Sequence, residues 1–192
     1  EALLKRCSGI LLFRLSMSGN EKISSGRNEM EKQGHKIKKI LVAIDFSTYS
    51  TPALEYAMDV SKNTKAVIVA LNIINQTEID SVEREVNSKY PNTFSLSKHL
   101  TNEIGRRELK MEALIKKVTK NESVSTPLPL EIRIGHGNPH VEILKTIDRE
   151  GIDFLVFGPK GRRNLHDFLF GSVAEKLFRH SPVPVMSLRD RK

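Results

Sequence analysis

Phe154-Leu155-Val156-Phe157-Gly158-Pro159-Lys160-Gly161 reads as a buried strand that breaks at a glycine. Nine residues later come Gly171-Ser172 and the amphipathic run Val173-Ala174-Glu175-Lys176-Leu177-Phe178. Strand, glycine-bounded loop, helix is an arrangement that cradles phosphate. Gly158 lets the chain leave the strand at angles closed to other residues. Gly161 has no Cβ to hold a ligand off its backbone. Gly171, Ser172 and Val173 fall where the first helical N–H groups lack partners, at the positive end of the helix dipole. Lys160, Arg162 and Arg163 are candidate phosphate neighbours, though long cations on a loop need no partner. His166 is expected to be an ordinary loop residue.

Working outward, Ile40-Leu41-Val42-Ala43-Ile44 is a second continuous apolar run, and it ends in Asp45. Such runs suit strands covered on both faces, as in a parallel sheet. Ser47, Thr48, Ser50, Thr51 and Pro52 supply helix-start chemistry, and an apolar stripe from Ala53 to Val60 predicts a helix ending near Asn63. A further strand is expected over 66–74. Residues 75–96 show no clear period and are read as an irregular connection, with at most a short helix. Leu100, Ile104, Met111, Leu114, Ile115 and Val118 predict a helix over 97–121. A strand over 128–134 alternates with charge and suits a sheet edge. Then follow a turn over 135–139, a helix through Val141, Leu144 and Ile147, a strand over 152–157, a helix over 171–180 and a strand over 183–188. Five strands alternating with four helices argue for an α/β domain with a parallel sheet covered on both faces.

In open parallel sheets ligands lie beyond the carboxyl ends of the strands, where strand order reverses. If the first and fourth strands are neighbours there, Asp45 and the glycine loop share one crevice. Asp45 then accepts ribose hydroxyls or holds a metal near phosphate; the alternative is that it caps the helix that follows. The six histidines show no zinc-type spacing. A phosphorylated-aspartate enzyme would want a second acid two residues after Asp45, where Ser47 stands.

The 192 residues carry a net charge of +8, concentrated at the start: residues 1–40 hold nine Lys/Arg against four Asp/Glu. Residues 1–35 are expected to be a basic, disordered leading segment, with Met17 or Met30 as the natural start. Nucleic acid is not the expected partner of that arm. No apolar run approaches the roughly 20 residues of a membrane helix. The single cysteine, Cys7, excludes an intrachain disulfide and suits a reducing, cytoplasmic setting.

Over residues 36–189 the chain resembles the universal stress protein family. The residues that carry the likeness are Ile40 to Ser47 with its Asp-x-Ser ending, Gly137-Asn138-Pro139, Asp153 to Gly158, the Gly158-x2-Gly161-x9-Gly171-Ser172 spacing of the ATP-binding members, and Pro182-Val183-Pro184-Val185. The resemblance implies an open, Rossmann-like sheet of order 3-2-1-4-5 over a domain of residues 36–192, and a homodimer through the last strand. It implies ATP, ADP or AMP as ligand, with Mg2+ as a possible companion, and a stress-response switch read by an unknown protein partner. Gly158, Gly161, Gly171, Ser172 and Val173 would hold phosphate, Asp45 with Ala43 beneath it the nucleoside, and Ile73 the adenine. Turnover is expected to be slow at most. The competing expectation is a dimeric interaction module that needs no nucleotide. Three departures stand out: Pro159-Lys160 between the first glycines, the long connection after the second strand, and the charged ending Arg189-Asp190-Arg191-Lys192.

Overall fold

The computed structural model describes residues 36–120, 129–159 and 171–188. The elements run β1 (Lys39–Ala43), α1 (Ser50–Thr64), β2 (Val67–Asn75), α2 (Gln76–Lys89), α3 (Leu96–Lys120), β3 (Leu130–Gly137), α4 (Pro139–Glu150), β4 (Phe154–Phe157), α5 (Ser172–His180) and β5 (Val185–Ser187). All strand pairs are parallel, and the sheet order is β3-β2-β1-β4-β5. This is the expected order, and β3 lies at an edge as its charge alternation suggested.

The lack of alternation in β1, β2 and β4 has a direct cause. Each strand is covered on both faces, so successive side chains are buried in opposite directions. Ile40, Val42, Ile68, Ala70 and Val156 meet Leu54 and Met58 of α1 and Met111 of α3. Leu41, Val69, Leu71, Leu155 and Phe157 meet Ile143 and Ile147 of α4 and Leu177 of α5. Register keeps the layers straight: Leu41 pairs with Val69 and Leu155, and Val42 with Ala70 and Val156. Each of the Val, Leu, Ile, Phe and Met side chains among these contributes about 1.5–3 kcal/mol through burial.

Two helices end as local chemistry requires. Lys65 turns left-handed (φ 63°) and returns its N–H to the Ser61 carbonyl, and Gly151 (φ 61°) closes α4. The start of α4 follows from Pro139, whose missing N–H costs nothing in a first turn.

Three boundaries differ from the sequence expectation. The connection 75–96 is mostly helix: α2 occupies fourteen of its residues, and Asn75 caps it by accepting from the Thr77 N–H at 3.1 Å. The described residues therefore hold five helices rather than four. Glycine-rich 135–137 continues β3 instead of turning, because the ladder runs on to Asn75 opposite Gly137. The last strand is shorter than the expected 183–188; β5 pairs over only three residues. No helix among the described residues is long and apolar enough to cross a membrane.

Candidate functional site

From β1 the chain steps to β2 and β3, then crosses back to place β4 on β1's other side. The reversal therefore falls between β1 and β4. Ala43 ends β1 in register with Leu71 on one side and Phe157 on the other. Asp45 lies two residues past that end, and Gly158 leaves β4 beside it.

The two ends of the glycine-bounded segment meet. The Pro159 carbonyl accepts the Gly171 N–H at 2.9 Å, which sets the start of α5 against the exit of β4. Phe157 and Phe178 strengthen the join with an edge-on ring contact, centroids 5.2 Å apart. Gly171 precedes α5 with extended backbone (φ −75°, ψ 157°), and no side chain caps the helix. The N–H groups of Ser172, Val173 and Ala174 precede the first intrahelical donor, which is Glu175 bonding back to the Gly171 carbonyl at 2.9 Å. Ser172 is exposed and Val173 half-buried against the core under α5.

Asp45 is half-buried and divides its carboxylate. Oδ1 accepts the Ser47 N–H at 2.9 Å and the Ser50 hydroxyl at 3.0 Å, which closes the turn leading into α1; the helix itself starts after Tyr49 with no side-chain cap, so Asp45 is not the cap the sequence offered as its alternative role. Oδ2 accepts nothing from the described residues. Phe46, next in the chain, adopts φ 62°, a conformation few non-glycine residues accept. The Ser47 hydroxyl is buried and has no hydrogen-bond partner among the described residues, where burial normally demands one.

The structure brings Ala43, Asp45, Gly158, Gly171, Ser172 and Val173 to one edge of the sheet. Ile73 reaches the same end of β2, but its side chain is only 8 % exposed and packs with the α4 layer. Its Cδ1 would stand 2.8 Å from a Cβ on Gly135, so it fills the space that glycine leaves. Gly161, with Lys160, Arg162, Arg163 and His166, lies outside the described residues.

A buried polar network beside this edge had not been expected. Beyond Ala43, the Ile44 N–H still bonds the Leu71 carbonyl at 2.8 Å. The Ile44 carbonyl accepts a side chain instead of a strand: Asn72 Nδ2, at 2.6 Å. Asn72 Oδ1 accepts Arg107 at 2.8 Å, and Arg107 also reaches Glu78 of α2 at 2.8 Å and Glu103 at 3.3 Å. Asn72 and Arg107 are both almost completely buried. The sequence did carry a signal. Arg107 occupies a position in the stripe Leu100, Ile104, Met111, Leu114, Val118 where the 3.6-residue period points inward.

On the outer face of α4 and α5, burial lowers the pKa of His140, and Lys176 and His180 lower it further. Among the described residues no group of three or more His, Cys, Asp or Glu side chains is placed to hold a metal ion.

The model of the Universal stress protein family matches residues 36–189. Universal stress protein MJ0577 of Methanocaldococcus jannaschii is 29% identical over 157 residues, covering 79% of this chain and 94% of its own. YxiE, a universal stress protein of Bacillus subtilis, is 29% identical over 152 residues, with 79% and 98% covered. The solved structure of MJ0577 superposes with a TM-score of 0.63 at 30% identity, covering 82% of this chain and 99% of that one. A universal stress protein solved in complex with cAMP superposes at 0.52 and 17% identity, over 80% and 97% of the two chains, a likeness of fold.

Proposed function

The chain belongs to the universal stress protein family, and from that premise we propose that it binds an adenine nucleotide and acts as a regulatory switch in a stress response. The observation that carries the reading is the hydrogen bond from Gly171 N–H to the Pro159 carbonyl. It holds the uncapped start of α5 against the exit of β4, one strand from Asp45. Backbone amides at a helix start favour a phosphate group. The amides of Ser172 and Val173, with the Ser172 hydroxyl, would take the phosphates, and Gly158 and Gly161 leave room for them. Asp45 Oδ2 would accept a ribose hydroxyl. Ala43 is small enough to leave the floor of the crevice open, and Ile73 would flank the adenine.

ATP, ADP and AMP all suit this arrangement, and Mg2+ would accompany the longer phosphates. Hydrolysis is expected to be slow at most, since efficient phosphoryl transfer needs both a placed base and a cation on the transferring phosphate. A homodimer through β5, a protein partner that reads the bound state and a cytoplasmic setting complete the proposal. Binding changes the population of a dimer or partner complex only if the two states differ in affinity for nucleotide.

The test is thermal unfolding with each nucleotide. Ligand at 100 times its dissociation constant adds about 2.7 kcal/mol, a clear rise in melting temperature. No rise with millimolar ATP, ADP or AMP overturns the reading. Mass spectrometry of the denatured protein checks whether nucleotide is carried through purification.

One observation favours a second reading, a dimeric interaction module that needs no nucleotide: Asp45 Oδ1 is already occupied by the Ser47 N–H and the Ser50 hydroxyl in the turn before α1. Gly161→Leu separates the two. It removes the nucleotide response under the first reading and leaves partner or dimer binding unchanged under the second.

A further inference from the structure

We propose that Asn72 and Arg107 are positioning residues for the nucleotide site, holding the β1 exit at the height where the Asp45 carboxylate meets its ligand. This rests on the nucleotide reading of the same edge and deepens it.

Past Leu71 no strand N–H reaches the Ile44 carbonyl, and Asn72 Nδ2 takes it at 2.6 Å. A side-chain amide thus substitutes for the next rung. The backbone then reaches Asp45 and reverses at Phe46 with φ 62°. The rung is the last fixed point before that reversal, so it sets where Asp45 leaves the sheet.

An asparagine amide can face either way, and the wrong way would set its oxygen against the Ile44 carbonyl. Arg107 decides the matter. A guanidinium only donates, so its bond to Oδ1 at 2.8 Å leaves Nδ2 for Ile44. Arg107 is itself held by Glu78 of α2 and by Glu103 one turn earlier on α3. The planar fork reaches acceptors on three elements at once, which an ammonium cannot reproduce. Arg107 and Asn72 touch neither Asp45 nor the start of α5 in the bonds described. Their action on the site runs through the Ile44 carbonyl alone.

The experiment compares Asn72→Leu/Arg107→Met with the wild type and with Asp45→Ala. Replacing both buried partners by apolar groups of similar shape leaves no orphan between them, but it does strip the Ile44 carbonyl of its donor; Glu78 and Glu103 keep partial access to water. Two quantities are read: the ATP dissociation constant, and amide hydrogen exchange at Ser47, whose N–H bonds Asp45 Oδ1. We expect the double variant to fold but melt below wild type, to bind ATP roughly tenfold more weakly, and to exchange faster at Ser47 with exchange at Ile147 in α4 still slow. Arg107→Lys, which keeps the charge without the fork, is expected to lie on the weak side. Wild-type affinity and wild-type Ser47 exchange in a folded double variant overturn the proposal. If the wild type and Asp45→Ala both fail to bind ATP, the nucleotide reading falls, while Ser47 exchange still decides whether this pair holds the Asp45 turn. If the double variant does not fold, Arg107→Lys alone decides, by the same two readouts.

Discussion

Phe46 holds φ at 62°, a left-handed backbone that costs a side-chain-bearing residue about 1–2 kcal/mol. Its ring repays part of that cost by packing under α1 and α3, with Lys110 Nζ 5.8 Å from the centroid. Phe46→Ala would lose the ring and keep the strain, whereas Phe46→Gly would lose both. The glycine variant is therefore expected to be the more stable by about 0.5–1 kcal/mol, the reverse of the usual order. Urea midpoints measure this, and an alanine variant at or above the glycine variant would contradict the strain. The same scale shows what a sequence conceals. Asp45 and Gly158 could be located because an acid or a glycine at a strand end is a local signal, and Gly171 because a glycine before an amphipathic run marks a helix start. Ile73 was placed at the right end of β2, but periodicity could not tell that its side chain fills the gap over Gly135. Arg107 went unread because a cation on a helix resembles solvent-facing charge, although the stripe from Leu100 to Val118 placed it inside. Asn72, within an apolar run, was the polar residue whose burial required partners.

Among the elements, α2 is the least anchored. Ile79 is its one fully buried side chain, aided by the Asn75 cap and the Glu78–Arg107 ion pair. Ile79→Ala is expected to cost about 2–3 kcal/mol and to release α2 first, since elements with little buried surface open locally. Hydrogen exchange should then quicken across 76–89 and stay slow in β1, β2 and β4; uniform quickening would show that α2 unfolds only with the whole. Scant burial also explains why this helix was missed. A single buried position leaves no 3.6-residue period, and the surrounding Glu, Ser, Asn and Lys read as loop. The overlooked signal was Asn75 with Glu78 three residues on, a helix-start pair. β1, β2 and β4 were legible for the opposite reason: strands covered on both faces are apolar throughout. Their spatial order came from family resemblance, because apolar runs carry no information about which strands are neighbours.

Acid is expected to weaken the whole molecule in two stages. His140 has its pKa lowered from 6.5, chiefly by burial and then by Lys176 and His180. As pH falls through 6.5 the unfolded chain takes up a proton that the folded chain resists, so stability is lost with acidification. Glu103 is lowered from 4.5, foremost by the Arg106 hydrogen bond. Glu150 is also lowered: its burial pushes the other way, but Arg149, Arg133 and Lys39 together prevail. Both carboxylates lend stability that is full above 4.5 and vanishes as pH drops through their depressed folded values. Melting temperatures from pH 7 to 3 should show both stages, with His140→Gln flattening the first and Glu103→Gln the second; an unchanged profile in either variant would refute its assignment. At this scale, too, the closure between Pro159 and Gly171 has an engineering consequence. Two positions one hydrogen bond apart make a splice point, since a foreign peptide inserted between them would begin and finish on the same spot of the scaffold. Doubling such an insert adds only about 0.6 kcal/mol of closure entropy, so the sheet beneath should tolerate grafts of very different lengths as readily as its own.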